Sequence, residues 1–272
     1  MDESYRVGPD VHVLPSRMDV PGVGSIPINA FVILSEQPVL VDCGLGVDAP
    51  EFVEALRAVV DPADLAWIWL THDDGDHTGC LRQMLDLAPN AKLATNGLGA
   101  LRLRTWWDVP LDRVHAIAPG DRIDVGDRTL AALRPPTYDN PMSTGIFDES
   151  TSTLFSVDSF GAILSAPYQD AADIPEEELL GGMTAWATFD SPWLHLSDPA
   201  RLAGVLDGVR SLGAERVLSS HLPPAIDRLD ELLDIVAGIP AAEPFVAPDA
   251  ATFDQIAAAI ATIESAGLAA LD

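Results

Sequence analysis

The apolar run Leu65-Ala66-Trp67-Ile68-Trp69-Leu70 passes without a spacer into Thr71-His72-Asp73-Asp74-Gly75-Asp76-His77. A run so short and so apolar reads as a buried strand. Its end therefore delivers two imidazoles and three carboxylates to one place. Groups crowded in this way repel one another unless a cation lies between them, and one or two metal ions would serve. Gly75 lets the loop turn back on itself, so that His72, Asp74, Asp76 and His77 can converge. The two histidines are five positions apart, which rules out a helical His-x-x-x-His zinc site. The competing reading is a solvated acidic turn in an acidic protein.

The segments around this loop alternate. Ile28 to Leu34 and Pro38 to Val41 read as strands separated by Ser35-Glu36-Gln37, and the second ends in Asp42-Cys43-Gly44-Leu45-Gly46. Ala49 to Val60 has helical periodicity, and His77 to Leu87 reads as the helix that follows the His/Asp loop. A strand over Lys92 to Thr95 and a helix over Leu98 to Trp107 come next. Arg113 to Ala118, Arg122 to Val125, Arg128 to Leu133 and Thr153 to Val157 read as strands. Gly161 to Trp193 reads as irregular, with an acidic helical piece near Glu176 to Leu180. Helices are expected over Pro199 to Leu212 and Ile226 to Ala237, a strand over Arg216 to Ser219, and an alanine-rich helix over 250–268. The expected fold class is α/β: two mixed β-sheets packed face to face with helices outside, forming one domain over residues 1–272 with its core at about 10–238.

Composition narrows the setting. The chain has 272 residues and is 48% hydrophobic, enough for a sizeable core. No apolar run approaches the roughly 18 residues of a membrane span, and Met1-Asp2-Glu3-Ser4-Tyr5-Arg6 is not the start of a secretory signal. Two cysteines, Cys43 and Cys80, are too few for a disulfide framework, so a cytoplasmic protein is expected. A net charge of −27 disfavours nucleic acid as a partner.

Four groups of potential ligands each follow an expected strand: Asp42, the His72 to His77 loop, Asp158 and His221. Strand ends are where α/β architectures build sites. The motif His72-x-Asp74-x-Asp76-His77 joins Leu40-Val41-Asp42-Cys43-Gly44, Leu154-Phe155-Ser156-Val157-Asp158-Ser159-Phe160-Gly161 and Ser219-Ser220-His221. Together these resemble the metallo-β-lactamase superfamily over residues 10 to 230, with its αββα sandwich. Most hydrolases of that superfamily carry His at the position of Asp74. A carboxylate there, with the sequence around Asp158, more closely resembles the flavodiiron proteins and their relatives without a flavodoxin domain, which bind two irons and handle oxygen or nitric oxide.

The resemblance implies a two-metal site. One metal takes His72 and Asp74; the other takes Asp76, His221 and His77, the least certain of these; Asp158 bridges them. Three carboxylates and few nitrogens also favour iron, or manganese, over tetrahedral zinc. The chain departs from the family where a further His is expected, and reads Ala132-Leu133-Arg134-Pro135-Pro136 instead. Arg134 cannot ligate a metal, because its guanidinium stays protonated. Either that metal position is weakly occupied, or Arg134 neutralises Asp74 and the site holds one metal. Asp42 reads either as a residue orienting a ligand or as a strand-end turn residue. His195 reads as a proton donor or substrate contact, or equally as a cap before Asp198-Pro199. Asp76, or Asp74, is the residue expected to steer a bound hydroxide if the chemistry is hydrolytic.

Three functions follow. The leading one is redox handling of a small oxidant at a di-iron-like site. No FMN-binding domain and no cysteine-rich motif is seen, so a separate electron-transfer protein would supply electrons; a homodimer is compatible. The second is hydrolysis of a small ester, lactone or thioester, where a metal lowers the pKa of water to about 7. The third is a ligand-binding sensor with one metal or none.

Overall fold

Period-two alternation of apolar residues decides which face each strand buries. In β3 (Gly24–Ile33), Phe31 and Ile33 belong to one core while Ala30 and Val32 belong to another. The split repeats in β4 (Val39–Val41), where Val39 and Val41 part from Leu40, and in β5 (Trp67–Trp69), where both tryptophans part from Ile68. In β10 (Gly145–Asp148) and β11 (Thr153–Val157), Ile146 and Phe155 share the first core, while Phe147 and Leu154 face a third. Two sheets thus close on a common apolar layer, and each turns its outer face to helices. The computed structural model describes the backbone of residues 1–269 and the side chains of residues 1–262; residues 270–272 of the expected single domain lie outside that range.

The first sheet runs in chain order from β1 (Tyr5–Val7) through β2 (Val11–Val20), β3, β4, β5 and β6 (Lys92–Thr95) to β7 (Val114–Ala116). It is antiparallel as far as β4 and parallel from β4 to β7. The second sheet has the order β13 (Ala225–Ile226), β12 (Arg216–Ser219), β11, β10, β9 (Thr129–Leu133), β8 (Arg122–Asp124), and only β11 and β12 pair in parallel. Both sheets are mixed, and the αββα sandwich is the observed fold. Outside the first sheet lie α1 (Ala49–Arg57), α2 (Gly75–Thr78), α3 (Leu81–Leu87) and α4 (Gly97–Leu103). The second sheet is covered by α5 (Glu176–Asp190), α6 (Pro199–Arg210) and α7 (Leu229–Gly238), and α8 (Ala250–Ala269) follows. Among the described residues no helix is long and apolar enough to cross a membrane.

Four expectations change. Val11–Val20 is a ten-residue strand, and Gly145–Asp148 is a central strand of the second sheet; neither segment is read as one from sequence. Pro15 interrupts the first pattern, and the second is a run of only four residues. The helix expected over His77 to Leu87 is broken at Gly79 and Cys80. There the loop from Cys43 to Gly46 is hydrogen-bonded into the chain: Cys43 N–H donates to His77 O (2.8 Å), Gly79 N–H to Gly44 O (2.9 Å) and Cys80 N–H to Cys43 O (3.0 Å). A Cβ on Gly79 would lie 2.1 Å from Gly46 N, so this approach needs glycine. Within the segment expected to be irregular, α5 is a 15-residue helix, and it forms one wall of the site.

Candidate metal centre

Strand ends from both sheets meet at one rim. From the first sheet, β4 ends at Asp42 and β5 runs into the His72 to His77 loop. From the second, β11 ends at Asp158 and β12 at His221. The ladder between β11 and β12 slips between Phe155 and Val157, and Val157 takes a φ of 58°, a left-handed conformation that costs a β-branched residue of order 1–3 kcal/mol. The strain is held by Ser220 N–H and Ser219 Oγ, which both donate to Val157 O at 2.8 and 3.1 Å. Its effect is to turn the next side chain, Asp158, into the cleft between the sheets.

The donors converge on Asp158. Its Oδ1 lies 3.1 Å from both His77 Nε2 and His221 Nε2, and its Oδ2 lies 3.4 Å from His72 Nε2. Asp74 Oδ2 is 3.7 Å from His72 Nε2, while Asp76 Oδ2 is 3.6 Å from His77 Nε2 and 3.5 Å from His221 Nε2. One oxygen of Asp158 therefore faces each of two groups. All six residues expected as metal ligands (His72, Asp74, Asp76, His77, Asp158 and His221) are brought together.

The far side of each ring decides which nitrogen faces in. His77 Nδ1 is 2.8 Å from Asp42 Oδ2, and His221 Nδ1 is 2.8 Å from the carbonyl of Pro27. With protons on those nitrogens, both Nε2 lone pairs point to the centre. Asp42 is itself held by Thr71, whose backbone N–H donates to Oδ1 at 2.8 Å and whose hydroxyl lies 2.8 Å from Oδ2. Of the two readings of Asp42, its place behind His77 matches the orienting one. From α5, Trp186 Nε1–H donates to Asp158 O (3.0 Å) and its ring lies against His221 at 4.3 Å. Gly161 makes room for that indole, since a Cβ there would meet Nε1 at 2.4 Å.

Charge is concentrated at this point. Burial works against the charge on Asp158, yet His72, His77 and His221 hold its carboxyl well below the usual range. Burial pushes His77 down, but Asp76, Asp42 and Asp158 outweigh it and hold the imidazole well above its usual value. Burial and the neighbouring His77 push His72 down. Two further carboxylates stand at the mouth. Burial, then Asp158 and Asp74, push Asp139 up to about 7; burial, then Asp158 and Asp139, push Asp190 up to about 8. Neither was singled out from sequence. The available signal for Asp139 was an acid beside an amide in the loop Pro135-Pro136-Thr137-Tyr138-Asp139-Asn140-Pro141.

Arg134 is not at the centre. Its guanidinium donates to Ser143 O (3.0 Å) and Pro141 O (2.5 Å) and lies over the Tyr138 ring. Asp74 instead has Oδ1 bound by Asn140 Nδ2 at 3.0 Å. The expectation that Arg134 neutralises Asp74 is thus replaced, because its side chain is used to close the loop that precedes β10. His195 sits in a 3-10 turn, Pro192–Leu196, and is not among the residues lining the cavity at the site. Cys43 and Cys80 are buried and free, and burial pushes both thiols up, Cys80 to about 11. They are packing residues without thiolate character.

The donor set suits metal ions. Metal–ligand bonds of about 2.1 Å separate neighbouring donors by about 3.0 Å in an octahedron and about 3.4 Å in a tetrahedron. Three of the six separations found here, 3.1, 3.1 and 3.4 Å, match those edges, and the other three, at 3.5–3.7 Å, are slightly longer. Asp158 Oδ2 is buried and accepts no hydrogen bond, which is costly for a carboxylate oxygen without a cation. Above the centre opens a chamber of about 520 Å3, walled by apolar side chains including Ile26, Ile163, Trp186, Phe189 and Phe245.

The family described as ODP family beta lactamase matches residues 26–221, a span that begins in β3 and ends on His221. The chain belongs to this family. Among curated proteins, an uncharacterized protein of Methanocaldococcus jannaschii is 26% identical to this chain over 193 residues, covering 71% of this chain and 48% of that one. This chain is 26% identical over 140 residues to a flavo-diiron protein of Clostridium acetobutylicum, covering 51% and 35%. Among solved structures, the rubredoxin oxygen:oxidoreductase of Desulfovibrio gigas superposes with a TM-score of 0.75 at 18% identity, covering 89% of this chain and 63% of that one. The ODP-family chain thus shares the fold of the flavodiiron core and spans about half or less of the curated relatives it matches.

Proposed function

We propose that this protein holds a pair of iron ions and handles a small neutral oxidant, O2 or NO, with electrons from a separate redox protein. The observation that carries the reading is the division of Asp158, one oxygen toward His72 and the other toward His77 and His221. A carboxylate so placed would serve two ions, one on the His72 side and one on the side of His77 and His221. Three imidazoles among several carboxylates favour iron or manganese over tetrahedral zinc. Support also comes from relatives named as a flavo-diiron protein and as an anaerobic nitric oxide reductase flavorubredoxin.

Iron, when bound, supplies the electrons that a small oxidant takes up. The chain's own residues do the rest. Asp42 and the Pro27 carbonyl hold the Nδ1 protons of His77 and His221, which keeps each Nε2 turned inward. Trp186 fixes the Asp158 backbone. The apolar walls of the chamber favour neutral, poorly hydrated molecules, as O2 and NO are, and the carboxylates at its mouth disfavour anions. A cytoplasmic homodimer is the setting in which we expect this chemistry.

Metal analysis of protein from its own host, followed by anaerobic loading with ferrous iron, tests the reading. Two irons per chain and an absorption change on mixing with oxygen are expected. One zinc per chain with esterase or lactonase turnover would replace the redox reading with hydrolysis.

A further inference from the structure

Asp139, exposed at the mouth of the centre, is assigned neither by the motif around His72 nor by the resemblance. We infer that Asp139 is a metal ligand, completing the position built on His72 and Asp74 with a carboxylate where an imidazole is expected. This inference rests on the two-metal reading above. His72, Asp74 and Asp139 each offer one donor atom, and the three atoms lie within 4.8 Å of one another. A cluster of acids alone would carry little weight. Here a histidine belongs to the group, and the fully buried Asp158 Oδ2 faces the same side without a hydrogen bond, 3.4 Å from His72 Nε2.

The chain on both sides of Asp139 is tied to the centre. Two residues before it, the Thr137 backbone N–H donates to Ser159 Oγ (3.1 Å) and Ser159 Oγ–H donates back to Thr137 O (2.7 Å). Ser159 directly follows the bridging Asp158. One residue after it, Asn140 Nδ2 donates at 3.0 Å to Asp73 Oδ1 and to Asp74 Oδ1. The Tyr138 carbonyl accepts from Trp193 Nε1–H at 2.7 Å. Asp139 is therefore carried on a loop fastened to one expected ligand and to the neighbour of another. Among the described residues no arginine or lysine forms an ion pair with it, and Arg134, the nearest basic residue in sequence, is committed to Pro141 O, Ser143 O and the Tyr138 ring. A metal ion on the His72 side is the cation that the arrangement fits.

The result is an uneven centre. The His72 position has one imidazole and three carboxylates, from Asp74, Asp139 and Asp158. The other has two imidazoles, from His77 and His221, with Asp76 and a share of Asp158. Replacing nitrogen by carboxylate makes the first position harder, and shifts it further toward iron or manganese and away from zinc.

Metal content, not turnover, is the readout. Wild-type protein, Asp139→Ala, Asp139→Asn and Asp139→His are loaded anaerobically with ferrous iron, desalted and analysed. Loading is repeated with cobalt(II), whose absorption reports the ligands. Both Asp139→Ala and Asp139→Asn are expected to keep one ion and to lose the second, or to bind it at least about tenfold more weakly. Asp139→His is expected to restore the second ion with a shifted cobalt spectrum. Far-ultraviolet circular dichroism identifies any variant that misfolds, and the near-isosteric Asp139→Asn then decides. Unchanged metal content and spectra in Asp139→Asn would overturn the inference and leave the two-metal reading standing. One ion in the wild type would sink the two-metal reading, and the inference would then stand only if Asp139→Asn loosened that ion. A wild type that binds no metal would sink both. An equal loss in Asp190→Asn would show that general negative charge, not ligation, holds the ion.

Discussion

Each of two imidazoles at the centre is held through its far nitrogen, and for His77 the nearer partner is the buried carboxylate of Asp42 at 2.8 Å, with the Thr71 hydroxyl at 3.3 Å. Asp42→Asn keeps the shape of that contact but exchanges a charged acceptor for a neutral one. We expect metal at the His77 position to bind about tenfold more weakly, read by competition with a chelator. Unchanged affinity would mean that packing alone orients the ring. At this scale the sequence is most legible where ligands are contiguous. His72, Asp74, Asp76 and His77 lie within six residues, so a short motif exposes them. Asp139 escaped because its loop has no periodicity and its partners are distant in sequence. Sequence does not tell where a long side chain such as that of Arg134 bonds, nor that Asp139, five residues on, lies near Asp74.

The elements show why a site can be built from strand ends yet depend on loops. Positive φ at Asp42 (61°) and Val157 (58°) turns the chain at the rims of both sheets. Between α2 and α3, Gly79 lets the His/Asp loop lie directly on the loop from Gly44 to Gly46. Gly79→Ala would place a methyl group 2.1–2.4 Å from backbone atoms of three residues. We expect a destabilisation of about 4 kcal/mol or more, measured by the denaturant midpoint. A shift below about 1 kcal/mol would show that the two loops separate without penalty. Helix periodicity found α1, α6 and α7 to within a few residues, because their apolar faces are regular. The break at Gly79 and the length of α5 were hidden. The first comes from contacts with residues more than 30 positions away, and the second from a helix whose two glycines and two threonines weaken its local pattern.

Over the whole molecule, 42 acidic residues face 15 basic ones. Such a charge opposes compaction through self-repulsion, although individual pairs resist it: Arg128 joins Asp10 before β2 to Asp148 at the end of β10. Raising sodium chloride from 0.01 to 0.5 M shortens the screening length from about 30 Å to about 4 Å. The Tm is expected to rise, by about 2–4 °C for each kcal/mol recovered. A fall would mean that specific pairs such as Arg128–Asp148 outweigh the general repulsion. The sequence by itself determined the kind of fold, the rim on which the site is built and the four donors of the His72 to His77 loop, because alternation, glycine turns and short motifs are local; Asp158 and His221 joined them through the family resemblance. Only the tertiary structure decided that Asp158 divides its oxygens between two groups, that Asp42 stands behind His77, and that Asp139 rather than Arg134 faces Asp74. Those facts are distances between residues far apart in the chain, set by how two sheets pack.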